Sequence, residues 1–193
     1  MSGSSGIVPD PMSDDPLHGI EQQARRQRNY DSPPLHLWHP PLSGDIPIRI
    51  AADGRWFHDG DLIERESLVR LFASILRREE DGDYYLVTPA EKWRIGVELH
   101  PLIVTGAENR AVDGRECLEV TLNTGKKVML GEDHPLFLEP RVGDIAAVRL
   151  DHGLTALFSR AAWYRLVESA RESAGVPSVS SKGLVFRLVP EQA

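Results

Sequence analysis

The chain has 193 residues, 41% hydrophobic and 26% charged, an ordinary balance for a globular protein with room for one domain or two small ones. Its formal charge is −7 with no long run of either sign, so it lacks the basic field that draws proteins to nucleic acid, and no nucleic-acid partner is expected. Cys117 is the only cysteine, which excludes an intrachain disulfide framework and a cysteine-cluster zinc site. No apolar run reaches the roughly 20 residues of a membrane helix and the polar start carries no signal-peptide segment, so the expected setting is the cytoplasm, away from membranes.

Residues 1–14 are rich in Ser, Gly, Asp and Pro, and too poor in apolar side chains to offset the entropy of ordering them, which predicts disorder. Asp15 and Pro16 then supply a cap and a first-turn proline for a short helix through Arg28, with a thin apolar stripe of Leu17 and Ile20 and a basic, solvated face at Arg25, Arg26 and Arg28. Residues 1–32 therefore read as a tail, disordered or weakly helical. From Pro33 to Pro41 the prolines force extended chain, with Leu35 and Trp38 as packing anchors. His36 and His39 need not converge there, and no metal site is expected.

Asp45 to Ile50 alternates apolar and other residues with the period of a strand. The unit that follows, Asp53 to Trp93, is the densest in signals. Asp53-Gly54 and Asp59-Gly60 bracket a short strand with turn residues that reach positive φ. Leu68, Leu71, Phe72, Ile75 and Leu76 then fall on one helical stripe, so a helix is expected over about 66–79, its start marked by Glu64 and Glu66 and its end by Arg77 and Arg78. Asp81-Gly82 turns the chain into the strand Tyr84 to Thr88, ended by Pro89.

Strands follow at 93–97, 102–104, 116–122 and 127–130, the last two joined by an Asn-Thr-Gly-Lys turn, and they read as an antiparallel meander. His100-Pro101-Leu102 and His134-Pro135-Leu136 repeat a tripeptide whose prolines mark strand starts. Two more strands, 145–150 and 154–158, lead to a helix over about 161–173 capped by Ser159, with Trp163, Leu166, Val167 and Ala170 as its buried stripe, and to a closing strand at 184–189. Setting Arg65 against Arg160, an offset of 160 − 65 = 95, also matches Arg70 with Arg165 and Leu71 with Leu166. With the shared element order, this points to an internal duplication.

The pattern Trp38-x-Pro40, Asp53-Gly54-x-Trp56-x-His58-x-Gly60, Arg65, Leu68-Val69-x-Leu71-Phe72, Ile75-Leu76, Asp81-Gly82-x-Tyr84, Leu86-x-Thr88-Pro89-x-Glu91 resembles an uncharacterised bacterial family, the domain of unknown function 1285 family. The likeness runs over roughly 33–190, and Leu62 departs from it where the family more often has proline. What the resemblance implies is a two-domain α+β protein with internal duplication, a second domain similar to pleckstrin-homology folds, a ligand site between the domains, and a role in signalling without an established activity. Combined with the residue patterns, it gives the expected architecture: two similar halves, each a curved antiparallel sheet with one packed helix, over 33–95 and 96–193, the second pleckstrin-homology-like.

The leading functional expectation is a regulatory or signal-transduction module that holds a small anionic ligand, nucleotide-like ligands included, between its halves. Trp56 would stack; His58, Arg65 and Arg160 would donate; Thr88, Glu91 and Lys92 would line the same site beside the second turn. Two arginines at matched helix entrances suit an anion, because helix entrances also offer free amides. Each residue has a plainer role open to it: Trp56 as core, His58 as a turn residue, the arginines as caps or partners of Glu64 or Glu91. Without a phosphate-binding glycine loop no cofactor is assigned. Catalysis is not expected, although hydrolysis using His58 or His134 with Asp59, Glu132 or Asp133 stays open, as does a scaffold that receives a protein partner on a sheet edge.

Overall fold

Hydrogen-bonded strand order, more than any helix, organises the structure, a computed structural model that describes residues 16–25 and 32–190. The first half comprises helix α1 (Pro16–Arg25), β1 (Leu42–Ile50), β2 (Trp56–His58), β3 (Asp61–Leu62), α2 (Glu66–Ser74), β4 (Leu76–Arg78), β5 (Tyr84–Val87) and β6 (Lys92–Val97). The second comprises β7 (Leu102–Val112), β8 (Arg115–Leu122), β9 (Lys127–Met129), β10 (Leu136–Glu139), β11 (Ile145–Arg149), β12 (Thr155–Phe158), α3 (Arg160–Glu168), β13 (Arg171–Ser173), β14 (Val176–Ser181) and β15 (Leu184–Arg187).

The two large sheets run β3-β2-β1-β6-β5-β4 and β9-β8-β7-β12-β11-β10. Each is thus two three-stranded meanders whose first and last strands meet at the centre, β1 beside β6 and β7 beside β12, and those central pairs are parallel while the other pairs are antiparallel. One topology repeated in two halves is the duplicated α+β architecture. The helices sit differently within it. α2 lies between the meanders of the first sheet, whereas α3 follows the second sheet, packs on β7 and β12, and leads into β13–β15. The 95-residue offset does align meander, helix, meander in chain order, but β13–β15 form a small sheet of their own instead of completing the sheet of β10–β12.

Local chemistry explains the elements. The two-residue turn Asp59-Gly60 has φ of 51° and 91°, the twist that lets β2 and β3 pair tightly. Ser159 caps α3 by accepting from the Ala162 amide at 3.2 Å. Helix α2 is shorter than its apolar spacing suggests: it stops at Ser74, whose hydroxyl donates back to the Leu71 carbonyl, and Leu76 pairs across to Leu86 as strand. Ile75 and Leu76 are buried as expected, but by a sheet. In the same way α3 stops at Glu168 and 171–173 becomes β13; Ala162 and Leu166 carry its buried face, and Val167 is 41% exposed. Between Pro33 and Pro41 one 3-10 turn, Leu35–Leu37, interrupts the extended chain, held by Arg77, which donates to the carbonyls of Leu35 and Trp38 at 3.0 and 2.9 Å.

Two cores result. Trp56, Phe72, Ile50, Leu76 and Leu86 centre the first, which also takes Ile20 and Ala24 of α1; Val104, Val120, Leu130, Phe158 and Leu166 centre the second. The disorder expected of residues 1–14, and Asp15, Arg26 and Arg28, lie outside the described residues. Ala73 and Leu150 pack against both cores, so the halves share a seam. Two glycines tighten it. Gly153 (φ 71°) lets the second half approach β4 so closely that a Cβ would stand 3.0 Å from the Arg78 carbonyl oxygen, and a Cβ on Gly54 (φ 82°) would stand 2.5 Å from Ile103 Cγ1.

Candidate functional site

The seam opens into a cleft of about 760 Å³, within the range of small-molecule sites. One wall comes from α2 and β4, the other from the turn between β8 and β9 and from the loop between β11 and β12. Its residues sort by exposure. Leu71, Leu102, Val128 and Leu154 each keep a small exposed surface and make an aliphatic floor, with Leu76 and Leu122 closed off behind them. Arg25, Arg70 and Lys126 are exposed at its edge, with His134 and His152 half-buried beside them.

Each polar group is placed by local structure. Lys126 follows Gly125 (φ 85°), whose amide closes the hairpin turn onto Leu122 at 2.8 Å, so the lysine projects from the reversal. Arg70 stands one turn along α2 from Glu66, to which it makes a 3.3 Å ion pair, and Arg25 pairs with Glu21 at 2.8 Å. Lys126 has no ion pair among the described residues. His152 adopts the left-handed conformation (φ 57°, ψ 32°); burial lowers its pKa, outweighing neighbouring Asp151, and Arg77 and Lys126 push the same way. The Nδ1 of His134 is buried without a hydrogen-bond partner and is closed off from the open cleft. Asp151 is the sole carboxylate residue among the described lining, so cationic groups prevail in a chain that is negative overall.

Beside the seam lies a buried polar chain. His100, in the short connection between β6 and β7, has its Nε2 2.9 Å from Glu139 and its Nδ1 2.7 Å from the Thr155 hydroxyl. Glu139 also accepts from the side chain and backbone amide of Arg141; these bonds overcome its burial and hold its pKa down to about 2. An ionised carboxylate only accepts, so His100 Nε2 carries the proton and Nδ1 accepts from Thr155. Burial holds this imidazole neutral, its pKa lowered despite Glu139.

None of the seven residues singled out from the sequence is among the cleft's described lining. Trp56 is 1% exposed and packs in the first core, its ring 6.2 Å from that of Phe72, so it offers no stacking face. His58 sits on β2 with Nε2 3.5 Å from Asp59, at the hairpin turn. Arg65 precedes α2 and pairs with Glu21 of α1 at 2.6 Å. Thr88 donates to Gln23 of α1 at 2.7 Å and accepts from the Glu91 amide at 3.0 Å, which makes that turn a docking point for α1. Lys92 reaches Glu79 at 2.8 Å over the Tyr85 ring. Arg160 is exposed at the first residue of α3, in the other half from Arg65. The structure thus gathers Arg65 and Thr88 around α1 and leaves Arg160 at the start of α3 in the other half, while the cations that line the seam are Arg25, Arg70 and Lys126. The turn that carries Lys126 is visible in the sequence; its position opposite α2 depends on long-range pairing and is not.

Two sheets of one topology, joined along a seam that opens into an aliphatic cleft with a cationic edge, define a two-half α+β protein with an interdomain pocket. The chain belongs to the DUF1285 family: residues 33–99 match the domain of unknown function (DUF1285), N-terminal domain, and residues 101–188 match the protein of unknown function (DUF1285), C-terminal domain. It is similar to the crystal structure of a DUF1285 family protein from Silicibacter pomeroyi, with 37% identity and a TM-score of 0.79 over 90% of this chain and 96% of that one. A second DUF1285 family protein, from Shewanella baltica, is 30% identical with a TM-score of 0.52 over 64% of this chain and 91% of that one. No curated protein matches the chain. Among the described residues no helix is long and apolar enough to cross a membrane.

Proposed function

We propose that the protein is a ligand-binding regulatory module, acting in the cytoplasm, whose ligand is a small anion held in the cleft between its halves. The observation that carries this reading is the edge formed by Arg25, Arg70 and Lys126, with Asp151 the one acidic residue of the described lining and Lys126 without an ion pair among the described residues, in a chain of net charge −7. A ligand that touches α2 on one wall and the β8–β9 turn on the other favours whichever arrangement of the halves presents both, and this is how occupancy becomes a signal. Glu66 tempers the site by holding Arg70 until a stronger acceptor arrives.

The test is calorimetric titration of the full chain with inorganic phosphate, AMP, citrate and decanoate, repeated on Arg70→Ala and Lys126→Ala. Charge-assisted contacts of about 1.5–3 kcal/mol, reduced by exposure to solvent, predict roughly tenfold weaker binding of the responding anion for each variant. Unchanged affinity in both variants would place the anion elsewhere.

A further inference from the structure

Resting on that anion reading, we propose that the ligand of the cleft is an amphipathic monocarboxylate of the fatty-acid type, its head at the cationic edge and its hydrocarbon chain along the floor. Burial separates the two environments. Leu71, Leu102 and Leu154 keep 5–7% of their surface and have only hydrocarbon to offer the cleft, while Arg70 and Lys126 are exposed. A ligand that was polar throughout would have to leave its inner groups unpaired against those leucines, at a cost of kilocalories for each group. A purely apolar ligand would leave the cationic edge unused.

The composition of the cleft argues against a nucleotide in particular. Its described lining contains no Trp, Tyr or Phe on which a base could stack, since Trp56 is enclosed in the first core. The glycine turn at its edge has two of its amides committed within the fold. The Gly125 amide is already spent on the Leu122 carbonyl and the Asn123 amide on the Ile103 carbonyl, both at 2.8 Å. What the edge offers the head is side-chain charge from Arg70 and Lys126. That set suits one carboxylate better than a polyphosphate.

Chain length is the discriminating variable. Titrating the full chain with butyrate, octanoate, decanoate and dodecanoate, each below its micellar concentration, should give one site whose Kd falls about three- to fourfold with each methylene that enters the floor. Decanol should bind more weakly than decanoate, and Arg70→Ala and Lys126→Ala should weaken decanoate roughly tenfold while leaving decanol unchanged. Ser74→Leu, which adds bulk to the wall, should penalise dodecanoate more than butyrate in a protein that still melts cooperatively. If Kd does not depend on chain length, or AMP and phosphate bind more tightly than decanoate, the fatty-acid assignment is overturned and the anion reading stands. If no carboxylate, phosphate or nucleotide binds, or if decanol matches decanoate and neither cationic variant matters, both fall.

Discussion

His100 shows how much one side chain can carry at a junction. Its ring joins Glu139 and Thr155 at the connection between the sheets, and its protonation state follows from its partners. A buried imidazole with a lowered pKa contributes stability that is present above its ordinary value near 6.5 and is lost as pH falls below it, because the unfolded chain takes up the proton first. Glu139, held to about 2, contributes stability that is present above 4.5 and is lost between 4.5 and 2. Urea melts across pH should therefore show two stages of decline on acidification. His100→Gln should flatten part of the upper stage, with His152 sustaining the rest, and Glu139→Gln should flatten part of the lower one, which Asp45, Asp53, Glu79, Asp81 and Glu119 also sustain, while costing on the order of 1–3 kcal/mol at pH 7. A stability that is flat from pH 7 to 5 would contradict this account. Neither residue stands out in the sequence: His100 reads only as half of a repeated His-Pro-Leu, since its partners lie 39 and 55 residues away.

Helices α2 and α3 are short, at nine residues each, and hold their shape through the faces they bury. Leu71 and Leu166 are 7% and 1% exposed, so Leu71→Ala and Leu166→Ala should each cost on the order of 2–5 kcal/mol in denaturant melts; losses of surface size would mean the faces are misassigned. Periodicity identified both leucines and the Ser159 cap. It could not end the helices, because Ile75 and Leu76 satisfy a helical stripe and a buried strand equally, and the pairing of Leu76 with Leu86 decides between them. For the same reason the candidate site was only partly legible. A site between two halves was expected, and the cleft lies there, but its cations come from a helix edge, a hairpin turn and α1, which sequence order does not bring together.

Across the whole molecule, Ala73 and Leu150 belong to both cores and two glycines bring backbone from one half against the other, so the halves should melt together. Gly153→Ala meets both a left-handed φ and the Arg78 carbonyl, and Gly54→Ala meets Ile103; each should destabilise by roughly 1–3 kcal/mol, and calorimetry should resolve a single transition in the parent and a broadened or divided one in the double variant. One sharp, unshifted transition in the double variant would show that the seam does not couple them. The central parallel pairs have a consequence for synthesis. Because β1 pairs with β2 on one side but finds its other partner only in β6, an emerging chain leaves the inner edge of β1 unpaired until Val97 has cleared the ribosome. The same wait recurs for β7 until Phe158 appears. Each half is therefore a delayed closure, exposed to sticky neighbours on a crowded polysome until its last strand arrives, and a nascent-chain chaperone would find its substrate in those two intervals.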